Sequence, residues 1–534
     1  MRFEKFKFVL AVVLLSVGIF LGTQIDKVFG SDNLLENLRK FNDVLTYTQR
    51  YYVDETDSQK LVESAIKGML NELDPHSVYI PAKQMQTVEE EFKGNFEGIG
   101  IEFQIVNDTL TVVSPITGGP SEALGILSGD RIIKIDGESS IGITNDDVRK
   151  RLRGPSGTKV KVVILRTGVK EGIEYVITRD KIPLYSVDAH TMLDSKTGYV
   201  SISRFAEKTT DELLDALADL DKRGMKQLVL DLRNNAGGFL NQAFMISDLF
   251  IDGNKKLVYT RGRRSEFNED YYASTESLYE KVPLIILINR GSASASEIVS
   301  GAVQDWDRGL IIGETSFGKG LVQRQFSLND GSAVRLTISE YFTPSGRLIQ
   351  RKYSDKKKYY EDLMEREETE GENLDHKSEQ DSSRPTFTTN KGRKVYGGGG
   401  ITPDYLVKND KLTGYTTSLL RQNVFYLFAL KYIDVNGKAI ADKYGNNLKK
   451  FDSEFRFSQK DEKDFVEFAA EKGAKFDQTD FDQEKDYIFL RLKGQLARNY
   501  WKNEGWYTVL LKGDKQVTKA LTLFDKAKEI AGLK

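Results

Sequence analysis

Residues 291–323 read GSASASEIVSGAVQDWDRGLIIGETSFGKGLVQ. It follows Pro283-Leu284-Ile285-Ile286-Leu287-Ile288-Asn289, an unbroken apolar run suited to a strand buried on both faces. Three serines, Ser292, Ser294 and Ser296, then crowd the start of a helix that runs through Ile298, Ala302 and Trp306. Ser294 with Glu297 fits the S-x-x-E capping box, so this serine has a purely structural reading. Small residues on both sides nevertheless leave room for a substrate backbone, and amides at a helix start can stabilise a developing oxyanion. The choice between the two readings depends on finding a base.

Lys319 is the candidate base, in Gly313-Glu314-Thr315-Ser316-Phe317-Gly318-Lys319-Gly320. This segment nearly matches the phosphate-cradling G-x-x-x-x-G-K-[ST] loop. That motif needs a hydroxyl after the lysine and then a helix, whereas here Gly320 supplies no oxygen and residues 321–328 read as a strand. A lysine in a glycine-lined, largely apolar turn can lose its proton by desolvation and accept the hydroxyl proton of a serine. Taken alone, Lys319 reads better as an exposed surface cation than as a base. Histidine bases are scarce: the chain has only His76, His190 and His376, and it has no cysteine, which removes disulfides, thiolate metal sites and cysteine nucleophiles together. His76, in the Asp74-Pro75-His76 interruption of a helical pattern, reads as a turn residue. No metal and no cofactor are expected.

Outward from this stretch, strands alternate with helices from residue 183 onward. Residues 199–202 and 227–232 read as strands, and 210–220 as an amphipathic helix, which gives an α/β layer architecture. Chemistry collects where such strands end. One such junction is Asp231-Leu232-Arg233-Asn234-Asn235-Ala236-Gly237-Gly238, whose glycines let backbone amides face a ligand and make it a plausible oxyanion donor.

Residues 92–182 are different: β-type runs at 110–113 and 160–165 are separated by glycine turns. Gly98-Ile99-Gly100-Ile101 offers successive amides at a strand entrance, where a terminal carboxylate can be held while a peptide adds an edge strand. Followed in order by Gly119-Pro120-Ser121, residues 129–137 and a helix around 148–152, these features resemble a PDZ domain.

The whole of 291–323 resembles the signature of the carboxy-terminal processing peptidases, tail-specific serine proteases with a Ser-Lys pair. The likeness continues through residues 341–347 and 400–404 and spans roughly 34–404, with the PDZ module between helical and catalytic parts. It implies Ser294 as nucleophile, Lys319 as general base and Gln323 as the residue that orients the lysine. Gly237 and Ala295 would supply the oxyanion amides, and Asp305 gives structural support. The implied fold is multidomain α/β, with a crotonase-like α/β serine protease core, a β-rich PDZ domain and helical amino- and carboxy-terminal regions. Arg153 could couple the PDZ module to the protease by pairing with an acid, although a cation in a turn is ordinarily just solvated. The implied substrates are proteins or peptides with free, apolar carboxyl termini, because a groove beside Ile99 and Ile101 favours alkyl side chains. The alternative is a PDZ scaffold that binds tails without cutting them.

The remaining segments complete the expected layout. Met1-Arg2-Phe3-Glu4-Lys5-Phe6-Lys7 and the uncharged apolar run 8–22 make residues 1–30 a signal peptide or membrane anchor, which places the enzyme outside the cytoplasm, in a periplasm or on the outer face of the membrane. A helical region over 31–91 is followed by the PDZ domain (92–182), the protease core (183–350), a polar insertion (351–396), the end of the core (397–412) and a helical region (413–534). In residues 355–384, 17 of 30 are charged, so this stretch is expected to be a solvated insertion or loop. For 413–534, packing on the core, self-association and partner docking are all open. With 77 Lys+Arg against 79 Asp+Glu there is no basic field for a nucleic acid.

Overall fold

The computed structural model describes residues 34–533 apart from 275, 354–355, 367, 377–383 and 446. The amino-terminal apolar run lies outside these residues, and none of the described helices is long and apolar enough to cross a membrane. The chain divides into two compact units, residues 1–80 and 81–534. In the first, helices Leu34–Tyr51 and Ser58–Asn71 precede a short strand, Val78–Ile80. Asp57 caps the second helix by accepting from the Lys60 amide at 3.1 Å. His76 sits in a turn whose amide, like that of Ser77, is held by Asp74 Oδ1 (2.8 and 2.9 Å).

The second unit begins with helix Ala82–Lys93, which leads into an antiparallel sheet in the order 101–106, 109–115, 131–135, 159–165, 173–178. Leu110, Val112, Ile132, Val162 and Ile164 alternate into its core, and helix Asn145–Leu152 closes it with Val148 and Leu152. Strand Ile101–Val106 lies at the sheet's edge, with only Thr109–Pro115 beside it. Strands Asn95–Gly98 and Asp180–Pro183 pair antiparallel where the chain enters and leaves this module.

The α/β layer is built on a seven-stranded sheet. Its parallel centre runs Thr197–Ile202, Gln227–Asp231, Leu284–Ile288, Leu310–Gly313 and Tyr405–Leu406. The run at 284–288 is buried at every residue because both faces are covered. On one face, helices Thr209–Lys222, Leu240–Asp248 and Ala295–Asp305 pack against Val200, Leu228, Leu230, Ile286 and Ile311. On the other, Tyr199, Val229, Ile285, Leu287 and Ile312 meet Leu511, Val517, Leu523, Phe524 and Ile530. The carboxy-terminal region therefore has two parts. Residues 511–530 form a wall of the seven-stranded sheet itself, and helices between 414 and 510 enclose a separate, aromatic-rich core that includes Phe428, Phe451 and Phe465.

The polar insertion differs from the solvated loop expected of it. Helix Lys356–Glu365 packs Tyr359, 2% exposed, against the Phe317 ring. Arg366 then donates to the carbonyl oxygens of Thr315 and Ser316 (3.2 and 3.0 Å). Charge here serves the main chain: guanidinium groups satisfy carbonyls of an irregular loop that no strand or helix would otherwise pair.

Replacing Phe524 by Ala should destabilise the core by about 3–5 kcal/mol, read as a lower midpoint in urea or thermal unfolding. Truncation at residue 510, which exposes one face of the seven-stranded sheet, should leave no cooperative unfolding transition for the layers around it.

Candidate active site

Two turns at the carboxyl ends of adjacent parallel strands are laced into one surface. After strand Gln227–Asp231, Asn234 donates its amide to Asn289 Oδ1 (2.8 Å), and Asn289 Nδ2 donates to Asn234 Oδ1 (2.9 Å). After strand Leu284–Ile288, Ser292 Oγ donates to the Leu232 carbonyl (2.8 Å), while the Ala293 amide and Ser296 Oγ both donate to the Asn235 carbonyl at 2.9 Å. Ser292 and Ser296 are thus buried in structural bonds, and Ser294 alone of the three serines keeps some exposure.

Ser294 has φ 55° and ψ −110°, far from the extended backbone of an ordinary N-cap. Such a conformation costs energy for a residue with a Cβ and persists only where its surroundings over-determine it. The surroundings are close. Gly237, at φ 96°, lies so near that a Cβ there would sit 2.7 Å from the Ala293 carbonyl oxygen, 2.8 Å from Ser294 Cβ and 2.9 Å from the Ala295 nitrogen. Only glycine fits. The expected oxyanion pair, Gly237 and Ala295, is therefore brought beside Ser294, but the Gly237 amide is engaged, donating to Asn235 Oδ1 at 2.9 Å.

Lys319 follows a turn that begins where strand Leu310–Gly313 ends, and it precedes strand Leu321–Ser327, which pairs antiparallel with Ala333–Phe342. The phosphate-loop alternative therefore lacks its helix. Lys319 Nζ donates to Gln323 Oε1 at 2.8 Å. Ser294, Lys319, Gln323, Gly237 and Ala295 all line one cavity of about 1000 Å³. Phe239, Ile298 and Val322 supply apolar wall, and Val88 and Phe92 reach it from helix Ala82–Lys93.

The S-x-x-E pattern predicts only a capping role for Glu297, and the structure gives it more contacts. Its Oε2 accepts from the amides of Ser294 (2.8 Å) and Lys319 (2.9 Å), and its Oε1 from the Gly318 amide (2.7 Å) and Ser316 Oγ (2.5 Å). One fully buried carboxyl group therefore ties the serine turn to the lysine turn. Burial pushes its pKa up, against the pull of the Ser316 hydroxyl and the three amides. Tyr341, also missed in the sequence, donates its hydroxyl to the Ser294 carbonyl at 3.1 Å. Burial, with the Glu297 charge nearby, raises its pKa well above the ordinary phenol value and keeps it a neutral donor. Neither role has a local motif: Tyr341 lies on a strand 47 residues away from its partner.

Asp305 stands apart from the cavity, paired with Arg347 (2.5 Å) and the Ser345 amide (2.9 Å), as structural support would be. None of the three histidines lines the cavity: His190 meets Asp219 (3.2 Å) and His376 lies beside Asp404 (3.6 Å). In the β-rich module Gly100 has φ 74°, and the Ile99 carbonyl accepts from both the amide and the hydroxyl of Ser121 (3.1 and 2.5 Å). The side chains of Ile99 and Ile101 lie in the module's core. Arg153 is placed against an acid: its Nη1 donates to Glu90 Oε2 at 2.5 Å, and its guanidinium covers the Phe96 ring at 4.5 Å. Glu90 belongs to the same helix that carries Val88 and Phe92 to the cavity.

The chain matches peptidase family S41 over residues 196–356 and a PDZ domain over 111–166. Residues 23–84 match the activating protease CtpB N-terminal domain, and 415–502 match a family of unknown function. A carboxy-terminal-processing protease of Bartonella bacilliformis is 40% identical over 351 residues, 65% of this chain and 80% of that protein. The carboxy-terminal processing protease CtpA of Bacillus subtilis is 39% identical over 314 residues, 59% of this chain and 66% of that one. Among solved structures, a photosystem II D1 C-terminal processing protease aligns over 70% of this chain and 93% of its own, at 27% identity and a TM-score of 0.35.

Replacing Glu297 by Gln sets an NH2 group against two of the four donors. Peptide hydrolysis should fall about 100-fold, equivalent to about 3 kcal/mol, while circular dichroism remains that of the parent.

Proposed function

Because the chain belongs to the carboxy-terminal-processing serine proteases of peptidase family S41 and carries a PDZ domain, we propose that it cuts peptide bonds with a Ser294–Lys319 dyad. The observation that carries this reading is the single cavity that holds Ser294, Lys319, Gln323, Gly237 and Ala295. Ser294 Oγ attacks the scissile carbonyl carbon, and Lys319 Nζ, uncharged, takes the hydroxyl proton. The amide of Ala295 at the helix start meets the developing oxyanion. The Gly237 amide joins it once substrate oxygen displaces Asn235 Oδ1, so the second donor is recruited by the substrate. The leaving amine takes its proton from Lys319; the lysine, uncharged again, takes a proton from the attacking water and returns it to Ser294 Oγ as the acyl-enzyme ester is cleaved. Gln323 fixes the direction of the lysine side chain through its 2.8 Å bond. The sheet and its helices are read as a crotonase-like core.

The tail of a substrate is held at Gly98-Ile99-Gly100-Ile101 and adds along the open edge of strand Ile101–Val106, with apolar terminal residues favoured. Arg153 transmits this placement: its pair with Glu90 links the PDZ module to the helix that walls the cavity. The amino-terminal apolar run fits delivery across a membrane, so exported proteins are the proposed substrates, cut in a periplasm or at the outer face of the cytoplasmic membrane.

With a protein bearing an apolar tail, Ser294→Ala and Lys319→Ala should each lower the cleavage rate at least ~10³-fold. The parent rate should rise with pH as the amine is freed of its proton. Equal cutting by the parent and both variants would remove the dyad. Arg153→Ala should raise KM for the tailed protein several-fold, and should leave a short tail-less peptide cut at the parental rate.

A further inference from the structure

Residues 415–502, which match a family of unknown function, hold the PDZ module from behind. Arg498 Nη2 pairs with Glu102 Oε2 (2.9 Å), and Asn423 Nδ2 donates to Gln104 Oε1 (2.8 Å). Asp434 accepts from Arg131 (2.9 Å) and from Thr167 Oγ1 (2.7 Å). Lys502 pairs with Glu122 and reaches Thr117 Oγ1 at 3.2 Å. Glu102 and Gln104 are the outward residues of the edge strand, while Ile101 turns into the module's core. The contacts are therefore made by the side chains facing away from that core, and the main-chain edge of the strand stays open for an added peptide.

The same helix, Gln478–Leu510, also meets the protease. Asn503 Nδ2 donates to the Asp188 carbonyl at 3.1 Å, and the Tyr507 ring lies 6.2 Å from that of Tyr199. Within one stretch, Arg498 and Lys502 face the PDZ module and Asn503 and Tyr507 face the catalytic layer. The helical rhythm breaks where these faces change, at Trp501 and Lys502, both with non-helical backbone. The two contacts differ in kind. Residues 511–530 share a buried apolar cluster with the catalytic sheet, whereas the core of the helical region and the core of the PDZ module share no residue among those described. Among the described residues, hydrogen bonds and ion pairs join them, and the charged partners are between 30% and 48% exposed. Pairs of this kind are weak one by one and are screened by salt. Polar interfaces between domains open more readily than apolar ones.

We propose that the 415–510 region is an electrostatic cradle that fixes the PDZ module over the catalytic layer, and that tail capture depends on its charge pairs remaining closed. The consequence for catalysis rests on the tail-binding reading above, whereas the cradle itself does not. The chain has no cysteine, so Lys134→Cys on the module and Lys438→Cys on the helical region, both exposed, can carry a unique pair of spin labels. In the full-length protein at low salt the electron–electron distance distribution should be narrow. Arg498→Glu with Lys502→Glu, or salt raised from about 0.05 to 0.5 M, should broaden it. Adding Glu102→Arg and Glu122→Lys to the reversed pair should narrow it again. The reversed pair should raise KM for a tailed protein about fivefold and leave cutting of a short tail-less peptide unchanged. A distribution that stays narrow in the reversed protein overturns the cradle. Broadening with no change in KM, or with a fall in KM, overturns its part in tail capture. If the tail-less peptide is not cut even by the parent protein, the proteolytic reading fails, and the distance measurement still decides the cradle.

Discussion

The active geometry depends on one buried carboxyl group. Glu297 is fully buried, and four hydrogen-bond donors hold its oxygens. A buried carboxylate is tolerable only when its acceptor sites are filled, so the amides of Ser294, Gly318 and Lys319 cannot move apart without leaving it unsatisfied. The energetic demand of the acid thus becomes a geometric constraint on two turns that are separated in sequence and brought together at strand ends. The left-handed backbone at Ser294 is held in the same way, by Gly237 on one side and the Tyr341 hydroxyl on the other.

Around this point the lysine turn has little freedom. Arg366 takes the carbonyls of Thr315 and Ser316, Arg351 Nε takes that of Phe317 at 2.5 Å, and the Ser316 amide donates to Ile401 at 3.0 Å. A lysine carried by such a turn starts from a fixed main chain, and its long side chain needs only Gln323 to direct it. This is preorganisation in the usual sense: orientation is set during folding and not during the reaction.

Much of the layout was legible in the sequence because its signals are local. The apolar run at 284–288 announces a doubly covered strand, the glycines at 237 and 238 announce a close approach, and the strand after Lys319 dismisses the phosphate loop. Placing Ser294, Lys319, Gln323, Gly237 and Ala295 together needed the family likeness, since spacing alone does not bring residues 237, 294 and 319 to one cavity. What stayed hidden is long-range. Glu297 looked like a cap because its first contact is a cap contact, and the other three lie about twenty residues downstream. The insertion at 351–396 looked solvated because composition does not show that a guanidinium will be spent on main-chain carbonyls. The carboxy-terminal region read as uniform helix, although its two halves face different partners: Phe451 and Phe465 serve one core, Phe524 and Ile530 another.

Residues 511–530 carry a consequence for the order of events in the cell. A chain emerging from the ribosome builds strands 197–202 to 310–313 long before it contains Leu511, Val517 or Phe524. Until those residues are added, one side of the sheet has nothing to pack against, and domains settle only when their apolar faces are covered. Assembly of the catalytic layer is therefore complete only once synthesis has passed this point.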